Sequence, residues 1–120
     1  MVGNCWYAGC PPCRIEAADL EEIHQEYRDQ GVVFLGVNIL DQAPTALAFA
    51  DEFGVTYPSI MDANTGSVRL AFSGTVAPNA VPTTLVVDSQ GRVAARISGV
   101  LSEPNILREM IEDALAEGNE

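Results

Sequence analysis

Lysine is absent from this sequence of 120 residues, and histidine and tryptophan occur once each. Six arginines face 17 acids, so the net charge is −11. Such a surface repels phosphate backbones and anionic lipid, which argues against nucleic-acid binding and against adsorption to a membrane surface. No apolar run approaches the ~18–20 residues that a membrane helix needs, so insertion by this chain itself is not expected. The beginning does not read as a leader either: Met1 is followed directly by Val2-Gly3-Asn4-Cys5-Trp6, without a basic segment or a long apolar stretch. Three cysteines are too few for a disulfide-framework mini-protein. Beside the close pair Cys10 and Cys13, a zinc site would need two further ligands, and His24 is the only histidine.

What remains is a chain that is 48% hydrophobic, able to bury a core, and of a length that fits one domain over residues 1–120. Residues 2–7 read as a short buried strand. A helical pattern follows from about Pro11 to Asp29, with Glu16, Leu20, Ile23 and Tyr27 on one stripe and Gly31 closing it. The run 32–38 suits a strand covered on both faces. Pro44 opens a second helix with Ala46, Phe49, Ala50 and Phe53 on one face, ended by Gly54. A turn-rich segment precedes a short helix around 67–72. Thr83 to Val87 and Arg92 to Ser98 form a hairpin about Asp88-Ser89-Gln90-Gly91. Ser102 is the expected N-cap of a last helix, with Pro104 in its first turn and Leu107, Met110, Ile111, Ala114 and Leu115 on its buried face. Strands alternating with helices and then a hairpin predict an α/β sandwich: a mixed sheet with one antiparallel strand and helices on both faces. The acids Glu21, Glu22, Glu26 and Asp29 read as a solvated helix face.

The strongest local signal is Cys10-Pro11-Pro12-Cys13, between a buried strand and a helix start. Two residues between cysteines at a helix N-terminus bring the sulfurs within disulfide reach and leave the first at the open end. There the helix dipole and unpaired N–H groups stabilise a thiolate, the reactive species in disulfide exchange. Proline has no N–H, so the nearest backbone donor to the Cys10 sulfur is Cys13 itself. Weaker thiolate stabilisation follows, which leans toward reductant or exchange chemistry; a potential near −120 mV, at the strongly oxidising end, would contradict this.

Glu16, three residues after Cys13, belongs to the apolar stripe of its helix, so desolvation should raise its pKa and suit it to take and return the proton of the second thiol. Pro82 enters a central strand, where proline removes a ladder hydrogen bond. A cis Val81-Pro82 peptide would leave the Val81 backbone free to pair with an extended substrate. Cys5 is expected to be a small buried hydrophobe, His24 a half-exposed helix residue, and Trp6 core packing that also shields the cysteines.

The segment from Asn4 through Ala17, together with Gly36-Val37-Asn38, Gly54-Val55-Thr56-Tyr57-Pro58, Val81-Pro82-Thr83-Thr84, Asp88-Ser89-Gln90-Gly91-Arg92 and Ile97-Ser98-Gly99, resembles the TlpA/ResA-like thioredoxins over nearly the whole chain. The resemblance implies a thioredoxin-like three-layer α/β sandwich and disulfide exchange with protein substrates outside the cytoplasm, commonly in membrane-anchored or secreted proteins that draw electrons from a membrane thiol carrier. Many such proteins reduce apocytochrome c cysteines, and some relatives oxidise secreted proteins. It makes Cys10 the attacking cysteine, Cys13 the resolving one, Glu16 the active-site glutamate and Pro82 the cis-proline, with no cofactor beyond the Cys10–Cys13 disulfide. Three positions depart from the family: Gly9 replaces a usual Trp, Ala18 a helix-kinking proline, and Asn4 the buried acid of cytoplasmic thioredoxins. The family's N-terminal strand or strands are missing, as in a trimmed chain or one with a misplaced start. That leaves 32–38 as an expected exposed edge through which copies could dimerise.

The leading expectation is therefore a thiol–disulfide oxidoreductase. A Cu(I)-handling protein is the rival from another class, since soft thiolates suit that ion; relatives of that kind use wider cysteine spacing plus histidine. A peroxiredoxin-like peroxidase fits less well, because both cysteines lie in one short motif.

Overall fold

In the computed structural model, residues 1–72, 74 and 81–118 are described. There are five strands: β1 (Val2–Trp6), β2 (Phe34–Asn38), β3 (Ser59–Met61), β4 (Thr83–Val87) and β5 (Val93–Ser98). The helices are α1 (Pro11–Tyr27), α2 (Ala43–Phe53), α3 (Ser67–Ala71) and α4 (Pro104–Gly118). The sheet order is β3-β2-β1-β4-β5. β1, β2 and β3 run parallel, and β4 is antiparallel to both its neighbours. One strand thus opposes the other four, and helices cover both faces, as the α/β reading expects.

Val2, Asn4 and Trp6 point to one face, where Val2, Phe34 and Val86 meet Leu20, Ile23 and Tyr27 of α1 and Leu107 and Ile111 of α4. Ile23 and Leu107 are wholly buried, and burying side chains of this size contributes about 1.5–3 kcal/mol each. Cys5, Leu35, Val37 and Leu85 point to the other face and line a small apolar hollow against Val68 and Phe72, at and beside α3. β4 is buried at every residue, as befits the strand between two neighbours and two layers.

Several boundaries move. α1 ends at Tyr27 and tightens into a 3₁₀ turn, Arg28–Gln30, before Gly31 takes a left-handed conformation. α4 begins at Pro104, so Glu103 rather than Ser102 is the residue before it, and the Glu103 carbonyl accepts the Ile106 N–H. β5 starts at Val93, because Asp88 Oδ1 draws the Gln90 and Arg92 N–H groups into the turn. The largest correction concerns the sheet edge. β2 is not exposed at its side: β3, which the sequence patterning missed, pairs with it through Gly36–Ser59, Val37–Ile60 and Asn38–Met61. Dimerisation through β2 loses its basis. Gly36 makes this packing possible, since a Cβ there would collide with the Ser59 side chain and come within 2.9 Å of Trp6 Nε1.

Candidate active site

β1 delivers the chain to a tight loop, Tyr7-Ala8-Gly9, and α1 starts immediately after Cys10. Cys10 is the N-cap in an extended conformation, and Pro11 and Pro12 occupy the first helical turn, where their missing N–H groups cost nothing. Cys10 and Cys13 form a disulfide, with Cα atoms 5.2 Å apart. The Cys13 N–H donates to Cys10 Sγ at 3.2 Å. With prolines at 11 and 12, the two intervening residues supply no such donor, as the motif predicts.

One expectation fails. The motif predicts an open, accessible Cys10 sulfur, yet in this disulfide state Cys10 is 2% exposed and Cys13 is 3% exposed. The cause is packing. Both cysteines share a cluster with Trp6, Ala17, Ala46 and Phe49, and Tyr7, Ala8 and Val81 close against it. Trp6 is core packing that shields the cysteines, as expected: its ring lies tilted against Phe49 with centroids 4.5 Å apart, and its Nε1 donates to Ser59 Oγ at 3.1 Å. A cavity of about 370 Å³, bordered by Cys13, Asn4, Ala46 and Tyr57, runs between α1 and α2.

Glu16 is 1% exposed, one turn beyond Cys13 on the same helix face. Burial pushes its carboxyl above the usual range, while hydrogen bonds from the Leu101 N–H (2.8 Å to Oε2) and Asn4 Nδ2 (2.9 Å to Oε1) pull it back. Asn4 Nδ2 also donates to Thr84 Oγ1 at 3.1 Å, so the amide ties β1, α1 and β4 together beneath the cysteines. The Val81-Pro82 peptide is cis, Pro82 is buried, and its carbonyl accepts the Gly99 N–H at 2.8 Å. Cys5 is half-buried on the opposite face with its thiol pKa raised by burial, and it is not part of this cluster. His24 stacks beside Phe34 and Tyr57, as a helix residue away from the cysteines. Among the described residues no group of three or more His, Cys, Asp or Glu side chains could hold a metal ion.

Sequence reading missed the supports of the loop. Asn38 Oδ1 accepts the Leu40 and Asp41 N–H groups, an Asx-type turn after β2. The Asp41 carboxylate in turn accepts the Ala8 N–H at 2.7 Å. The signal was present, as an Asn followed three residues later by an Asp at a strand end, but not the partner.

The Redoxin family model matches residues 1–114. The thiol-disulfide oxidoreductase ResA of Geobacillus kaustophilus is 33% identical over 107 residues, covering 89% of this chain and 59% of ResA. The thiol:disulfide interchange protein HelX of Rhodobacter capsulatus is 34% identical over 113 residues, 94% of this chain and 59% of HelX. This chain thus spans 59% of the length of these curated relatives. Among solved structures, a thioredoxin-family thiol:disulfide interchange protein from Chlorobium tepidum superposes with a TM-score of 0.83 at 27% identity, covering 95% of this chain and 78% of that one. A DsbF homologue from Corynebacterium diphtheriae gives 0.80 at 34% identity, with 93% of this chain and 69% of that one covered.

Proposed function

This chain belongs to the Redoxin family and is a TlpA/ResA-like thioredoxin, and on that premise we propose that it is a thiol–disulfide oxidoreductase, a single domain acting on protein disulfides. The observation that carries the reading is the Cys10–Cys13 disulfide at the N-terminus of α1 with Glu16 buried one turn further on.

In the reducing direction the Cys10 thiolate attacks one sulfur of a partner disulfide. A mixed disulfide forms and the partner's other sulfur leaves as a thiolate. Glu16 takes the Cys13 proton, the Cys13 thiolate attacks Cys10 Sγ, and the second partner thiol is released as the Cys10–Cys13 bond closes. Two electrons pass to the partner, and both cysteines end oxidised. A carboxyl raised by burial above its ordinary value is better suited to this proton exchange than an unperturbed one. The Val81 backbone beside Pro82 pairs with the extended partner segment, and no cofactor takes part. A single backbone donor on Cys10 Sγ favours the reductant direction. We read the setting as extracytoplasmic, with a membrane thiol carrier as electron donor and cytochrome c maturation as the fitting task, as the TlpA/ResA-like resemblance implies.

The test is direct. Cys10→Ser should abolish reduction of a protein disulfide such as insulin and leave no mixed disulfide, while Cys13→Ser should trap one. Retained turnover in either variant would sink the scheme. Because Cys10 is buried in the oxidised state, the scheme also requires that reduction open it: iodoacetamide should label Cys10 before Cys13 in the reduced protein, and an unreactive Cys10 would count against the reading. The potential decides direction, with a value well below about −200 mV marking a reductant.

A further inference from the structure

Charged side chains outside the Cys-Pro-Pro-Cys motif hold the peptide groups on either side of the Ala8 Cα. The Ala8 N–H donates to Asp41 Oδ2 at 2.7 Å, and the Ala8 carbonyl accepts from Arg14 Nη1 at 3.3 Å. Asp41 is itself fixed: Asn38 Nδ2 donates to the same Oδ2 at 2.9 Å, and Asn38 is fully buried. Arg14 is held from the far end of α2, by Glu52 Oε1 at 3.3 Å and by the Phe53 ring 4.9 Å beneath its guanidinium. The turn before α2, through Asp41, and the last turn of α2, through Arg14, therefore hold the two successive peptide groups that flank the Ala8 Cα, two residues before Cys10. The Cys10 N–H in turn donates to the Tyr7 carbonyl across the same loop at 3.2 Å.

We propose that Asp41 and Arg14 are positioning residues that fix the Cys10 loop and bias ionisation of the Cys10 thiol in opposite directions, Asp41 against the thiolate and Arg14 for it. This rests on the reading of Cys10 as the attacking cysteine. The charged groups tied to this loop are Asp41 on the β2–α2 turn, Arg14 on α1 and Glu52 on α2, with Glu16 on the buried side of α1. Asp41 and Arg14 touch the loop backbone directly, whereas Glu52 reaches it only through Arg14. A nearby anion disfavours a thiolate and a nearby cation favours it.

The geometry supplies a clean test. Both donors to Asp41 converge on one oxygen. In Asp41→Asn the amide oxygen can keep both hydrogen bonds, so that only the charge is lost. Reduced protein is alkylated with iodoacetamide across a pH series and labelling of Cys10 is followed by mass spectrometry, a readout that needs no enzymatic turnover. At a pH below the thiol pKa, Asp41→Asn should label about two- to threefold faster than the parent and Arg14→Gln slower by a similar factor, as for a unit charge acting through a largely solvated path. Asp41→Asn should also shift the Cys10–Cys13 couple toward a more oxidising potential. The double variant should return near the parent rate, which separates electrostatics from a loosened or misfolded loop. Shifts of the same sign in the two single variants, or an unchanged Asp41→Asn rate, overturn the proposal. The Cys10→Ser turnover assay fails or succeeds independently of either result.

Discussion

Two regions of this molecule share one helix and differ in almost everything else. The C-terminal half of α1 drives Leu20, Ile23 and Tyr27 into a cluster with Val2, Phe34, Val86, Leu107 and Ile111, made of large apolar side chains. Its first turns carry Cys10, Cys13 and Ala17 into a smaller cluster with Trp6, Ala46 and Phe49. That second region borders a cavity of about 370 Å³ and sits over the hydrogen-bonded chain Glu16–Asn4–Thr84. The lesson is a division of labour along a single element. One end packs large apolar side chains that hold the fold, and the other keeps small residues, space and a titrating carboxyl where sulfurs must change partners.

The sharpest way to break this comparison is Ile23→Ala. It removes a wholly buried side chain and should lower unfolding free energy by about 2–4 kcal/mol in denaturant titration. The Cys10 alkylation rate of the folded protein should not change. A changed rate would mean that the two regions are not separate.

Glu16→Gln comes next, read through pH. The Glu16 carboxyl titrates above 4.5 when folded, so between the unfolded and folded values the native state holds the proton more tightly. Its contribution is present below the unfolded value, falls as pH rises through the folded one, and stays lost above it. The variant should lack that fall, seen as a flatter stability profile than the parent shows as pH rises from about the ordinary carboxylate range.

Ala46→Leu probes the space itself. Added methylenes beside the cavity should be accepted, with stability unchanged or raised by about 0.5–1 kcal/mol. Enlarging the wholly buried Ile23 to Phe in the large-residue cluster should instead cost about 1–3 kcal/mol. Equal responses would erase the distinction. The smallest effect belongs to Glu52→Gln: its ion pair with Arg14 lies at the surface, with the two side chains 43% and 59% exposed, and its loss should move stability by no more than about 0.5 kcal/mol.

Features set by local chemistry were legible in the sequence. Thr83–Val87, the start of α1 behind Cys10, the burial of Glu16 and the left-handed Gly31 and Gly54 each follow from periodicity or from one residue's conformational limits. What escaped depends on neighbours distant in sequence. β3 has three residues, too few for any period, and exists because Gly36 leaves room for Ser59. The burial of Cys10 needs Trp6, Phe49 and Val81 brought together. Asp41 shows its use only once Ala8 lies against it, 33 residues earlier in the chain.

Trp6 has a practical consequence. It is the only tryptophan, its indole is pinned by Ser59 and Phe49, and it shares a cluster with both sulfurs of the disulfide. A neighbouring disulfide accepts an electron from an excited indole and darkens it far more than two thiols do. The unlabelled chain should therefore fluoresce more brightly on reduction, carrying its own optical gauge of the sulfur couple.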